Sequence, residues 1–283
     1  AGEAAPVRPF PPPDVTLRAG PFRDTQRRNT AYLRFVDIDR LLHTFRRNVG
    51  LPSDAQPCGG WEGPNIELRG HSTGHLLSGL ALAFANTGEA ALRDKGRALV
   101  GELAKCQAAS PAAGFGKGYL SAFPESFFDR LEAGTGVWAP YYTIHKIMAG
   151  LVEQYRLAGN KQALQVVLRQ AGWVDARTAK LSYEQMQRGL ETEFGGRNDA
   201  FAGLHDLPGG REVVRGAGPQ GWLGAVPLLR TVTRTSSVPP SASAIGLNLT
   251  SVTSSRVVPP SRIVTGAVAL AVLPAGSRAS TWM

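Results

Sequence analysis

Gly70 to Gly88 reads GHSTGHLLSGLALAFANTG, two histidines four residues apart at the mouth of an apolar run that ends on glycine. Ser72 or Thr73 is expected to cap a helix running to Asn86, because a side-chain oxygen there accepts one of the first, otherwise unpaired N–H groups. Gly88 is suited to stop it, since glycine enters the left-handed conformation without steric penalty. A second amphipathic run extends from about Glu89 to Ala108, so the two make an antiparallel helical hairpin.

The pattern recurs. Trp138-Ala-Pro-Tyr-Tyr-Thr-Ile-His-Lys opens a helical run through Tyr155 that stops at Ala158-Gly159-Asn160, and a second run follows from Ala163 to about Lys180. Both copies carry a histidine near the start and a small-Gly-Leu step, at Ser78-Gly79-Leu80 and Ala149-Gly150-Leu151. A partial third copy, Asn198-Asp-Ala-Phe-Ala-Gly-Leu204, follows EFGG. Upstream, residues 21–49 read as two more helical stretches, with Leu41, Leu42 and Phe45 at helical spacing. Repeated hairpins with glycine at one register predict an all-α layered array in which helix N-termini of one layer converge on a single pocket.

Composition divides the chain at 208. Residues 1–207 hold every His, Lys, Asp and Tyr, whereas 208–283 hold seven Arg against the single acid Glu212, +6 of the total +9. Seventeen Ser/Thr and eight Pro in that tail leave no helical period, which predicts disorder. Its arginines are spread thinly among Ser, Thr, Pro and Val rather than clustered, so no nucleic-acid partner is expected. The run GAVALAVLPAG (266–276) is too short to span a bilayer and contains Pro274, so no membrane partner is expected either. The two cysteines, Cys58 and Cys106, are too few for a disulfide framework. The opening AGEAAPVRPFPPPDV has no apolar core flanked by positive charge. The numbering is expected to begin after a removed signal, as in a secreted protein, or partway into a longer chain, and the sequence does not distinguish the two.

Several residue groups carry candidate chemistry. His71 and His75 suggest a zinc pair, since His at i and i+4 share a helix face. A cap at Ser72 or Thr73 would leave His71 ahead of the helix, and no HExxH, CxxC or carboxylate at ligand spacing accompanies them. The reading adopted is that one faces a polar pocket and the other is structural. Tyr141, Tyr142, His145 and Lys146, beside Trp138, suit a polyhydroxyl ligand, with aromatics stacking on a ring and polar groups binding hydroxyls. Glu191, Glu193 and Asn198 flank the Gly pair of ETEFGGRND; a capping role explains Asn198 equally well. Glu125, Asp129 and Glu132 read as one solvated helix face rather than paired catalytic acids.

Taken together, DVTLRAGPFRDTQRRN, GGWE, GHSTGHLLSGLALAFANTG, LAKCQ with GYL, VWAPYYTIHKIMAGL and EFGGRND resemble the bacterial β-L-arabinofuranosidases of glycoside hydrolase families 127 and 146, in order from about Asp14 to Leu207. The resemblance implies an (α/α)6 barrel, present here only in part, with a carbohydrate substrate among the inner-helix N-termini. It also implies zinc, a zinc-bound cysteine nucleophile and glutamate acid/base chemistry, all in the second half of the domain. Neither Cys58 nor Cys106 matches the zinc-cysteine motif, so no catalytic or metal residue is assigned in this chain. His145, Tyr142, His75, Glu193, Asn198, His71 and Trp61 are expected as substrate contacts.

The domain organisation expected is therefore 1–207, the N-terminal part of a glycoside hydrolase domain, and 208–283, a Ser/Pro/Arg-rich tail arising from a reading-frame shift near codon 208. The chain alone is expected to be inactive and to associate with itself through uncovered apolar faces. Another α/α-barrel lyase or epimerase, or a non-catalytic carbohydrate-binding protein, are the alternative readings.

Overall fold

Every regular element among the described residues is helical. The structure, a computed structural model, describes residues 10–182, 184–186, 189, 193 and 196–216. Its helices are α1 (Pro21–Phe35), α2 (Ile38–Asn48), α3 (His71–Thr87), α4 (Ala90–Ala109), α5 (Ser126–Glu132), α6 (Pro140–Ala158), α7 (Lys161–Thr178), α8 (Gly196–His205) and α9 (Gly210–Gly216), with 3-10 turns at Pro12–Asp14 and Gly60–Glu62. The all-α class and both hairpins are as the sequence leads one to expect. Gly88 and Gly159 close α3 and α6 at φ 71° and 64°, and Asn160 accepts from the N–H groups of Gln162 and Ala163 to cap α7.

Helices α3 and α6 lie parallel and in contact along their length. Thr143 Oγ1 donates to Leu68 O at the N-terminal end, Gly74 meets Lys146 and Ile147, and Gln154 Nε2 donates to Leu77 O further along. Glycine is what permits this approach: a Cβ on Gly74 would stand 2.3 Å from the Lys146 carbonyl carbon, and one on Gly150 would stand 2.6 Å from Gly74 O. The repeated small-Gly-Leu step has one structural role in each copy. Gly79 faces Leu33 of α1, Gly150 faces Gly74 of α3, and Gly203 faces Val152 of α6, so each repeat presents glycine to an earlier helix that is not its immediate neighbour in sequence.

Behind this layer α4 and α7 also run parallel. Gln107 donates to Gly118 O and Val166 O and accepts from Arg169 Nε, at 2.9, 3.0 and 2.7 Å. The core lies between the layers, with Leu77, Leu80, Leu99, Leu103, Ile147, Leu151, Val166 and Val167 fully buried. Such burial contributes roughly 1.5–3 kcal/mol per large aliphatic side chain.

Three expectations change. α3 starts at His71 with Gly70 as its left-handed N-cap (φ 100°), so neither Ser72 nor Thr73 caps it and both histidines lie within the helix. The carboxylates at α5 are only in part a solvated face: Asp129 is exposed, but Glu132 pairs with Arg177 through both oxygens at 2.7 Å and accepts from Tyr141 Oη, and Glu125, just before the helix, accepts from Trp173 Nε1 and Gly116 N. Residues 210–216 are helical, so the compositional change at 208 is not by itself an end to helical structure. The disorder expected of the remaining tail, from 217 on, falls outside the described residues.

Candidate functional site

Parallel alignment brings the N-termini of α3 and α6 to one side of the molecule, and with them most of the polar aromatic residues singled out in the sequence. Glu62, on the turn Gly60–Glu62, reaches the first turn of α3. Its Oε2 accepts from Gly70 N (2.6 Å), and its Oε1 accepts from Ser72 N (2.8 Å) and from His71 Nδ1 (2.8 Å). This carboxylate is the helix cap that Ser72 and Thr73 were expected to supply. It also meets the positive end of the helix dipole.

His71 Nδ1 is 2.9 Å from Leu68 O as well. Both partners are acceptors, so the ring proton belongs on Nδ1 and Nε2 lies on the opposite side. His145 repeats the arrangement on α6, with Nδ1 3.0 Å from the Tyr142 carbonyl. α6 is gripped from outside its own sequence in the same way: Glu193 accepts from Tyr142 N, and Glu67 accepts from Trp138 N at 2.7 Å while paired with Arg130. Ala139, between them, takes φ 47°, a conformation other than glycine rarely adopts, just before Pro140 opens the helix.

The rings form a continuous series. His71 lies 5.9 Å from His75, 6.1 Å from Trp61 and 6.4 Å from Tyr142 between centroids; Tyr142 lies 5.5 Å from His145, and Trp61 meets Trp138 edge-on at 6.4 Å. Lys146 Nζ stands 4.9 Å over the Tyr142 ring. His71, His145 and Glu193 are buried, Tyr142 is half-buried, and His75 and Trp61 are exposed. Of the expected substrate contacts the structure thus joins Trp61, His71, His75, Tyr142, His145 and Glu193. Glu193 enters as a helix cap through its contact with Tyr142 N. Asn198 lies in α8, but its side chain and Glu191 fall outside the described residues.

Charge in this region is unevenly set. Burial opposes ionisation of Glu62, yet His71 and the Gly70 and Ser72 N–H groups outweigh it and hold the carboxyl below its ordinary value. Burial likewise opposes the His71 cation, and Glu62 outweighs it, holding the imidazole above its ordinary value. His75 moves the other way, lowered by desolvation, Lys146 and His71. Further along α6, Glu153 is raised by burial, despite a hydrogen bond from Ser78 of α3, and by Asp199 of α8. Asp199 is itself raised by burial. Glu62 and Glu67 escaped the sequence reading as site residues because loop glutamates among Gly and Pro carry no periodicity; the landmark GGWE includes Glu62 and not Glu67. A cavity of about 240 Å³ lined by His43, Arg47, Asn48 and Arg69 among others shares none of these residues. The candidate site is instead the surface where the N-termini of α3 and α6 meet Trp61.

A family model described as "Beta-L-arabinofuranosidase, GH127 catalytic domain" matches residues 14–217. The chain belongs to this glycoside hydrolase family. No curated protein matches it. The family match runs past the compositional break at 208 and includes α9.

Zinc, which the resemblance implies for the family, does not fit the residues described. Among them no three His, Cys, Asp or Glu side chains come together as a ligand set. The chain's two cysteines are also poor thiolates: burial pushes Cys106 up to about 12 and raises Cys58. No chemical step is therefore derived through zinc.

Proposed function

We propose that this chain supplies the sugar-binding part of a β-L-arabinofuranosidase-like glycoside hydrolase domain, and that it binds a pentofuranoside without hydrolysing it alone. One observation carries the reading: the parallel N-termini of α3 and α6 bring His71, His75, Tyr142 and His145 together beside Trp61. Imidazole nitrogens and the phenol supply hydrogen bonds to hydroxyls, and the indole and phenol faces supply apolar surface for the sugar's C–H groups. The glutamates that contact these helices are engaged in capping and ion pairing, which favours binding over acid/base catalysis in this part of the domain.

The absence of a family zinc-cysteine motif anywhere in the sequence supports inactivity, since no other cysteine exists to serve as nucleophile. The change in composition after Leu207 supports the reading-frame origin of the tail, while the family match that continues to residue 217 counts against a shift as early as codon 208. Sequencing the gene across codons 200–283 tests that origin: it is abandoned if the shifted frame encodes no family-like helices and no cysteine motif.

For the function itself, isothermal titration of the purified chain with L-arabinose is expected to show binding that His145→Ala weakens about tenfold. An aryl β-L-arabinofuranoside incubated with the chain and zinc is expected to stay intact. Zinc-dependent release of the aryl group would refute inactivity, and turnover that survives a chelator would point to another α/α-barrel chemistry.

A further inference from the structure

A buried glutamate that does no more than cap a helix needs one acceptor for one or two N–H groups. Glu62 does more. Its Oε1 serves Ser72 N and His71 Nδ1, both at 2.8 Å, while Oε2 takes Gly70 N at 2.6 Å, so one carboxylate fixes the backbone entering α3 and the proton of the ring beside it. Gly70 helps hold that geometry. It stands at φ 100°, and a Cβ there would press on Ala122 at 3.0 Å and Phe45 at 3.2 Å.

We propose that Glu62 is a positioning residue of the sugar pocket, which keeps the His71 proton on Nδ1 and thereby presents Nε2 to a ligand hydroxyl. This rests on reading the surface around these rings as a sugar site.

The geometry assigns the two nitrogens different work. Nδ1 faces two oxygen acceptors, Glu62 Oε1 and Leu68 O, whereas Nε2 makes only a long contact of 3.5 Å with Ser72 Oγ among the described residues. The ring is flanked by Trp61, His75 of α3 and Tyr142 of α6, so Nε2 lies among the residues proposed to meet the sugar. The charged groups acting on it are Glu62 from the preceding loop, which favours the imidazolium, and Lys146 from α6, which opposes it. His75, on which Glu62 acts without a hydrogen bond, is held on the neutral side of its ordinary range by burial, Lys146 and His71. The two neighbouring imidazoles thus differ in proton affinity because His71 hydrogen-bonds the Glu62 carboxylate and, among the described residues, His75 hydrogen-bonds none. That difference lets the pair offer a donor and an acceptor to neighbouring hydroxyls.

Glu62→Gln removes the charge and one of the two acceptor oxygens. The amide oxygen can take the place of Oε1 or of Oε2 but not both, so at least one backbone N–H of the cap is lost together with the charge that favours the His71 imidazolium, and with the amide NH2 in the Oε1 place the His71 proton has no acceptor on residue 62. Nitrogen-15 spectra of the histidine rings in the full chain are expected to show His71 protonated at Nδ1 and titrating above His75. In Glu62→Gln the His71 midpoint should fall and the neutral tautomer shift toward Nε2–H, with helical circular dichroism unchanged. L-arabinose affinity should drop about tenfold. An unchanged His71 midpoint and tautomer in the variant, or a shifted tautomer with undiminished affinity, would overturn the proposal. Should the variant not fold, a wild-type His71 found in the Nε2–H form overturns it equally. Failure of the wild-type chain to bind L-arabinose, with the His71 proton assigned as above, would instead remove the sugar-site reading on which the ligand role depends.

Discussion

At the scale of single residues, the Glu62–His71 couple gives the fold a pH signature. Glu62 lies below its ordinary value of 4.5, so the stability it contributes is present above that value and is lost as pH falls through the lower folded one. His71 lies above its ordinary value of 6.5, so its contribution is present below 6.5 and is lost as pH rises through the higher folded one. The couple is most stabilising between these limits, where carboxylate and imidazolium are both charged. Urea unfolding is therefore expected to be more resistant near pH 5.5 than the same chain carrying Glu62→Gln, with the gap narrowing toward pH 8.5 and toward pH 3. A gap independent of pH would mean that the carboxylate acts on α3 without acting on His71.

At the scale of helices, the α3–α6 contact is where sequence and packing meet most directly. Gly74→Ala places a methyl 2.3 Å from backbone carbon of α6, which no rotamer change relieves, so the helices must separate. A loss of about 3 kcal/mol or more is expected, at the upper end for overpacking. Gly172→Ala in α7 is the internal contrast: nothing stands within 4 Å of the added methyl, and helix propensity should stabilise by about 0.5–1 kcal/mol. Chemical denaturation of the two variants checks both signs at once. The hairpins were legible in the sequence because periodicity, Gly88 and Gly159 are local signals, and the small-Gly-Leu repeat marked a contact that each copy makes. The start of α3 was not, since its cap comes from Glu62, a loop residue whose reach depends on tertiary packing. Nor was the role of Glu132, whose partner Arg177 lies 45 residues away and is invisible to any window of helical spacing. In the candidate site, the histidines and aromatics could be singled out by type and position, but the carboxylates that orient them could not.

At the scale of the whole molecule, the described part leaves apolar side chains outside its core. Phe22, Tyr32 and Phe35 of α1 are 78%, 64% and 83% exposed, and Thr30 is the one buried residue of that helix. Phe22 and Phe35 are 13 positions apart, roughly 220° around a helix at 3.6 residues per turn, so α1 offers apolar surface on more than one side. Leu82, 42% exposed, extends the same property to the face of α3 that carries His75, seven residues earlier. Surfaces of this kind favour contact with other apolar surface because water is released from both. Sedimentation velocity of the purified chain is expected to show a weight-average coefficient rising with concentration. Phe22→Ser with Phe35→Ser should flatten that rise while leaving helical content unchanged, since neither ring contributes to the core. A monomer whose coefficient does not depend on concentration would show that these exposed faces do not drive association.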